Sequence, residues 1–135
     1  MTSYHKEFSA SLQVTSTTRD VTEISSRLSI KGTSEIQRGQ PVSKRPGAVP
    51  AVASIWTLES TLERSNPLEA HVGHLIGQIQ DQGDVLWALS SNCQIEIWCF
   101  ASFSGAQLGF HLGHELLESI SKYPITIIFD IYGES

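Results

Sequence analysis

Alternation of apolar and polar residues along the chain predicts four β-strands. In residues 6–16 the apolar side chains occupy every second position, and residues 93–103 and 125–132 repeat this period of two. Successive side chains of a strand point to opposite faces, so such a segment has one apolar face. Residues 52–60 predict a further strand, with Trp56 and Leu58 on one face. Residues 93–103 are partly apolar on both faces, which is typical of a central strand.

Apolar residues spaced three and four positions apart predict helices between these strands. Asp20 with Glu23 has the spacing of a capping box, which marks a helix start. Asn66 is predicted as the N-cap of a second helix, with Pro67 in its first helical position. The predicted helical segments are residues 20–30, 67–80, 84–91 and 114–123.

Two further segments complete the predicted order of elements. Residues 31–50 contain three glycines and three prolines, which predicts a long irregular loop. After a turn at 104–107, Leu108, Phe110 and Leu112 alternate with polar or small residues, which predicts the return strand of a hairpin. The fold class is therefore expected to be α+β, an antiparallel or mixed sheet with helices on one face. A ferredoxin-like sandwich is the topology we expect.

Length and charge narrow the classes of protein to which the chain can belong. A chain of 135 residues with 40% hydrophobic and 17% charged residues predicts one globular domain, residues 1–135. Residues 1–50 carry a net charge of +3 and residues 51–135 a net charge of −8, for a total of −5. An acidic chain disfavours nucleic acid as a partner and allows a basic protein. No apolar run could cross a membrane and no secretory signal is visible, so we expect a cytoplasmic protein.

The two cysteines fit a reducing compartment. Cys93 and Cys99 are six residues apart on one predicted strand, a separation of about 20 Å. A disulfide needs Cα atoms within about 7 Å of each other, so these two cannot pair there. We expect reduced, buried thiols.

Four of the five histidines occur in two short motifs of the form His-x-Gly-His. His71 and His74 are on the second helix, where His74 is expected to face solvent and His71 to lie at the edge of the apolar stripe. His111 and His114 straddle the corner between a predicted strand and a helix. Neither pair has the i,i+4 spacing of a zinc-binding helix, so the four are weak metal candidates only. We expect no metal or other cofactor.

An aromatic and acidic group is the leading candidate for a binding surface. Trp98 and Phe100 lie on the face of their strand opposite Ile95 and Ile97, and Asp130 and Tyr132 share a face of the last strand. Exposed aromatic residues in a patch mark partner or ligand surfaces. Packing in the core or under the long loop is the open alternative for these side chains. The candidate binding residues are Trp56, Trp98, Phe100, Asp130 and Tyr132, with Arg38 from the basic loop.

Several short motifs resemble, in their order, a known family. They are Arg38-Gly39, Trp56-Thr57-Leu58-Glu59-Ser60, Leu68-Glu69-Ala70-His71, Gly109-Phe110-His111-Leu112, Glu115-Leu116-Leu117 and Phe129-Asp130-Ile131-Tyr132. Their order resembles the bacterial family called domain of unknown function 4279, over nearly the whole chain. The resemblance implies a small α+β domain of a bacterial cell with no assigned activity and no catalytic residues to transfer. By analogy, families of this kind include immunity proteins of toxin systems, which act by binding.

The sequence therefore favours a non-enzymatic protein-interaction module that binds a protein partner or forms a homodimer. The alternative is a small-molecule-binding protein or hydrolase with a pocket between residues 31–45 and the sheet. No nucleophile elbow or Cys/His catalytic signature occurs in the chain.

Overall fold

A computed structural model describes residues 5–134 as a five-stranded sheet with four helices. The elements in chain order are β1 (Lys6–Ser16), α1 (Val21–Leu28), β2 (Ser34–Ile36), β3 (Ser54–Glu59), α2 (Leu68–Gln78), α3 (Gly83–Leu89), β4 (Gln94–Ser104), α4 (His114–Ser121) and β5 (Thr126–Glu134). No helix among these is long and apolar enough to cross a membrane.

The strand order across the sheet is β2-β3-β1-β4-β5. β1 pairs with both β3 and β4 in antiparallel fashion, whereas β4 and β5 are parallel and are connected through α4. The sheet is therefore mixed, which confirms the predicted α+β class. The ferredoxin-like topology is not confirmed, since the sheet has five strands and ends in a parallel pair.

A single core lies between one face of the sheet and the helices. It contains alternate apolar residues of β1, β3 and β4 together with buried residues from all four helices, and this confirms that the helices share one side. The strand residues of this core include Leu12, Val14, Trp56, Ile97 and Cys99. The period-two pattern explains the arrangement, because it gives each central strand one apolar face to bury.

The helix starts differ in detail from the predicted caps. Neither Asp20 nor Pro67, the residues that precede α1 and α2, forms a side-chain cap. The amide of Val21 instead donates to the side-chain Oε1 of Gln37 at 2.8 Å, and Gln37 donates to Asp20 at 2.9 Å. The predicted capping box at Asp20 is therefore wrong, because the side chain of Gln37, distant in sequence, caps α1. The predicted Asn66 cap is also wrong, because the Asn66 side chain donates to the carbonyl of Glu63.

The predicted return strand around Leu108, Phe110 and Leu112 is also wrong. Residues 105–113 form no strand, and β4 pairs instead with β1 and β5. The predicted loop at 31–50 is mostly exposed but contains the short edge strand β2. It also contains an isolated antiparallel bridge between Pro41 and Pro50.

Candidate functional site

No helix within residues 5–134 packs on the side of the sheet that faces away from α1–α4, and we call this side the open face. Its residues are the polar alternates of the strands, because each apolar neighbour points into the core. The central part of the open face consists of Ser9, Ser11 and Gln13 of β1, Thr57 and Glu59 of β3, Glu96, Trp98 and Phe100 of β4, and Ile128, Asp130 and Tyr132 of β5.

Trp98 and Phe100 form a stacked aromatic pair in the middle of the open face. Their ring centroids are 6.3 Å apart and their planes differ by 19°. In the register of the sheet, Ser11 lies beside Trp98 on one side and Ile128 on the other. The indole Nε1 of Trp98 is shielded from solvent and has no hydrogen-bond partner within residues 5–134. Both side chains are half-buried, so part of each ring is open to contact with a bound group, whereas the Nε1 donor lies below the surface.

A groove runs beside this aromatic pair, because β1 contributes only small side chains there. Ser9 and Ser11 form its floor, Phe100 lines one wall, and Thr57 and Glu59 line the opposite wall. Its volume is about 460 Å³. Both serines and Thr57 carry hydroxyl groups, so the groove is lined by polar groups on its floor and on one wall.

The open face is acidic. The strands place the carboxylates of Glu7, Glu59, Glu96, Asp130 and Glu134 on it. Among the described strand and groove residues of this side, Arg64 is the only arginine or lysine, and its Nη1 lies 3.7 Å from Oε2 of Glu7. A surface with this balance attracts cations and repels anions.

Asp130 and Tyr132 are linked to each other. The Tyr132 hydroxyl donates to Oδ2 of Asp130 at 2.9 Å. This hydrogen bond and the negative charge of Asp130 raise the pKa of Tyr132 above its ordinary value. Asp130 lies beside Phe100 in the register, so the linked pair extends the aromatic and acidic group to β5.

The structure brings together four of the six predicted binding residues and separates the other two. Trp98, Phe100, Asp130 and Tyr132 share the open face. Trp56 has 0% of its surface exposed and lies in the core on the opposite side of the sheet. Arg38 lies beyond β2, where its guanidinium donates to the carbonyl of Thr17 at 2.9 Å.

His71 is fully buried, rather than at the edge of the apolar stripe as predicted. Its Nδ1 lies 2.8 Å from Oγ of Ser60, and its Nε2 has no hydrogen-bond partner among the described residues. Burial lowers the pKa of His71, an effect that the backbone carbonyls of Glu63 and Asn66 partly oppose. His71 is therefore neutral at pH 7 and links the chain after β3 to α2.

The other three predicted histidines have separate surroundings. Nε2 of His74 lies 3.1 Å from Oγ1 of Thr61 and 2.8 Å from Nε2 of Gln78. His111 and His114 are exposed, in the segment before α4 and at the start of α4. Within residues 5–134, no three or more His, Cys, Asp or Glu side chains are grouped so that they could hold a metal ion.

The cysteine prediction is confirmed in structural terms. Cys93 and Cys99 are both buried and form no disulfide. Burial raises the pKa of the Cys99 thiol to about 12, and it raises that of Cys93 as well. Both sulfurs are thus poor nucleophiles at neutral pH.

Two features of the site were missed by sequence reasoning. The serine floor of the groove has a visible signal, since Ser9 and Ser11 alternate with the core residues of β1. Small residues at consecutive outward positions of a central strand leave a depression between larger neighbours. The contact between Ser60 and His71 has no such signal, because a loop of no regular pattern brings these residues together.

Comparison with known proteins identifies a family but no characterised relative. Residues 6–134 match the model of the family described as domain of unknown function, DUF4279. No curated protein and no solved structure shows significant similarity to the chain. The family resemblance seen in the sequence is therefore confirmed, and the geometry of the site remains the basis for a function.

Proposed function

The chain belongs to the DUF4279 family, whose description names no activity, and we propose that it is a protein-interaction module. Its open face binds a positively charged segment of a partner protein. The observation that carries the proposal is a sheet face that bears five carboxylates and the stacked Trp98–Phe100 pair, and on which no helix of residues 5–134 packs. An immunity protein that neutralises a basic toxin would be one example of such a module.

Lysine and arginine side chains complement both parts of this surface. Their cationic groups pair with carboxylates, and they also stack on aromatic faces in cation–π contacts. An extended segment lying in the serine-floored groove would find hydroxyl groups for its backbone amides and carbonyls. Phe100, which lines the groove and stacks on Trp98, gives the segment an aromatic surface to pack on.

The proposal also covers the location of the protein and the class of its partner. We infer a reducing, cytoplasmic location, because both cysteines are buried free thiols at positions that do not form a disulfide. We also infer that nucleic acid is not the partner, since phosphates would meet the carboxylates of the open face.

The alternative function, a small-molecule or hydrolase pocket beside residues 31–45, stays a prediction. A depression in this region is lined by Thr17, Asp20, Gln37 and Arg38. Gln37 donates to Asp20, and Arg38 donates to the carbonyl of Thr17. These polar groups therefore already have partners within the protein.

Titration with a defined peptide tests the proposal. The probe is a ten-residue peptide in which lysine and arginine alternate with glycine and serine, and an acidic peptide of the same length is its control. We expect binding in the micromolar range by isothermal titration calorimetry, weakened at least tenfold when the salt is raised from about 50 to 300 mM. The acidic peptide should not bind.

Variants locate the binding surface. Trp98→Ala and the charge-neutralising Glu96→Gln should each weaken binding of the basic peptide, Trp98→Ala by at least tenfold because it removes the stacking surface. Trp87→Ala is the matched control, since Trp87 is an exposed tryptophan of α3 on the helix side. Equal weakening by Trp87→Ala, or undiminished binding by both open-face variants, would refute the proposal.

A further inference from the structure

The two edges of the sheet are very different. β2 has three residues, and the chain beyond it is held by a bridge between Pro41 and Pro50. A short strand followed by prolines is a poor template for another strand. β5 has nine residues, and no strand within residues 5–134 pairs with its outer side. The backbone donors and acceptors on that side are thus available to an incoming strand.

β5 also exposes apolar side chains on both of its faces. Phe129 and Ile131 are each 47% exposed on the helix side, and Tyr132 is 57% exposed on the open face. β5 contains no lysine or proline of the kind that protects free edges. The Phe129 ring lies 5.7 Å from that of Phe110, which is itself 38% exposed, so the apolar surface continues beyond the strand.

We propose that β5 pairs with β5 of a second copy of this chain in antiparallel fashion. A two-fold axis perpendicular to the sheet would relate the copies and would join their sheets into one of ten strands. The open faces of the two copies would then lie side by side on the same side of the joined sheet.

The side chains of β5 select one register for this pairing. If Asp130 were opposite its own copy, two carboxylates would face each other, which destabilises a strand pair. Centred on Ile131, the pairing places Asp130 opposite Tyr132 and Phe129 opposite Gly133. The first pair repeats between copies the hydrogen bond that these residues form within the chain. The second brings the Phe129 ring next to the ring of Phe103, which covers Gly133 on the side where a Cβ would lie.

The size of this surface indicates a weak dimer. Phe110, Phe129 and Tyr132 together expose on the order of 300 Å² per copy, taking about 200 Å² for a whole aromatic side chain. A stable standard interface buries about 800 Å² per partner. Even with the backbone edge of β5 included, the area buried per copy is that of a weak, reversible dimer. We therefore expect a dissociation constant of roughly 10–100 µM.

Sedimentation equilibrium between 5 and 500 µM of the full chain tests the dimer. We expect a reversible change from monomer to dimer, and at least a tenfold loss of affinity in Ile131→Lys, which places a charge at the centre of the pairing. Val52→Lys is the matched control, because Val52 is an exposed apolar residue near the opposite edge of the sheet. A monomer at every concentration, or a dimer that Ile131→Lys leaves intact, would overturn the proposal.

Cysteine cross-linking tests the register independently. Ile131→Cys should form a disulfide-linked dimer under mild oxidation, since the two Cα atoms would lie opposite each other. Ile127→Cys should not, because eight residues of strand would separate the two thiols. The native Cys93 and Cys99 are buried and can remain in both variants. Faster cross-linking through residue 127 than through 131 would refute the proposed register. The dimer does not depend on the function proposed above, and Ile131→Lys should bind the basic peptide like the unchanged protein.

Discussion

Lowering the pH below neutral should destabilise this protein through His71. The side chain has 0% exposure, and its Nδ1 contacts Oγ of Ser60. Burial lowers the pKa of His71 below the ordinary value of 6.5, and the nearby charge of His74 contributes to the same effect. The carbonyls of Glu63 and Asn66 act in the opposite direction without reversing the shift.

The sign and size of the effect follow from proton linkage. Because the pKa of His71 is lower in the folded protein, the unfolded chain binds more protons as the pH falls below about 6.5. The stabilisation from neutral His71 is complete above that pH and is lost as the pH falls towards the folded pKa. One proton changes the free energy of unfolding by at most about 1.4 kcal/mol per pH unit. Between pH 7.5 and 5.5 we therefore expect a loss of up to about 1.4 kcal/mol from this residue.

Urea unfolding at pH 7.5 and 5.5, followed by tryptophan fluorescence, measures this loss. The comparison variant is His71→Asn, whose amide can approach Ser60 from the position of Nδ1 but does not titrate. At pH 7.5 this variant should be less stable by roughly 1–3 kcal/mol, since it loses buried packing and hydrogen bonding. Its stability should decrease less between the two pH values than that of the unchanged protein.

His111→Asn is the control, because His111 is exposed in the segment before α4. Its pH dependence should equal that of the unchanged protein. If His71→Asn shows the same decrease between pH 7.5 and 5.5 as the unchanged protein, the burial of a neutral His71 does not set the acid sensitivity, and our reasoning is refuted.

Three further predictions concern backbone space, helix capping and thiol reactivity. Gly32→Ala should lower the free energy of unfolding by about 1–3 kcal/mol in urea titrations, because a Cβ there would lie 2.7 Å from Nε1 of the buried Trp56. Gln37→Ala should lower it by about 1 kcal/mol, because the Val21 amide loses its acceptor. The Cys99 thiol, with a pKa of about 12, should react with Ellman's reagent only after unfolding.

Matched measurements check each of these outcomes. Gly73→Ala, in a helix with open space around the glycine, should stabilise the protein by about 0.5–1 kcal/mol. Asp20→Ala should cost less than Gln37→Ala, since the Asp20 side chain does not cap α1. Stabilisation by Gly32→Ala, a larger loss from Asp20→Ala, or fast reaction of Cys99 in the folded protein would each contradict the corresponding prediction.

The local spacing of apolar and polar residues was sufficient to predict most of the strands and helices. The alternation in β1 and β4 was sufficient to place their core faces, and the same alternation correctly placed Trp98 and Phe100 on the other side. It was misleading around Leu108 and Phe110, because an extended loop that packs every second side chain has the same spacing as a strand. Pairing, which distinguishes the two, requires a partner backbone that local spacing does not specify.

The sequence correctly placed Trp98 and Phe100 together in the candidate site but wrongly added Trp56. Trp98 and Phe100 are two residues apart on one strand, so their common face follows from the geometry of a single strand. Trp56 is also aromatic and on a strand, but its side of the sheet depends on how β3 pairs with β1. In the observed antiparallel register Trp56 faces Val14 and the core, and the sequence alone does not contain that pairing.

The sequence by itself determined the α+β class, the buried faces of the central strands, the family and the absence of a disulfide between Cys93 and Cys99. These properties depend on side-chain periodicity and on distances along one element, which are local. Only the tertiary structure decided that β5 lies parallel to β4 at a free edge, that Gln37 caps α1, and that Ser60 meets a buried His71. Each of these contacts joins elements that are distant in sequence and that the packing of the core brings together. Burial of apolar surface stabilises any well-fitting pair of elements, whatever their separation in sequence.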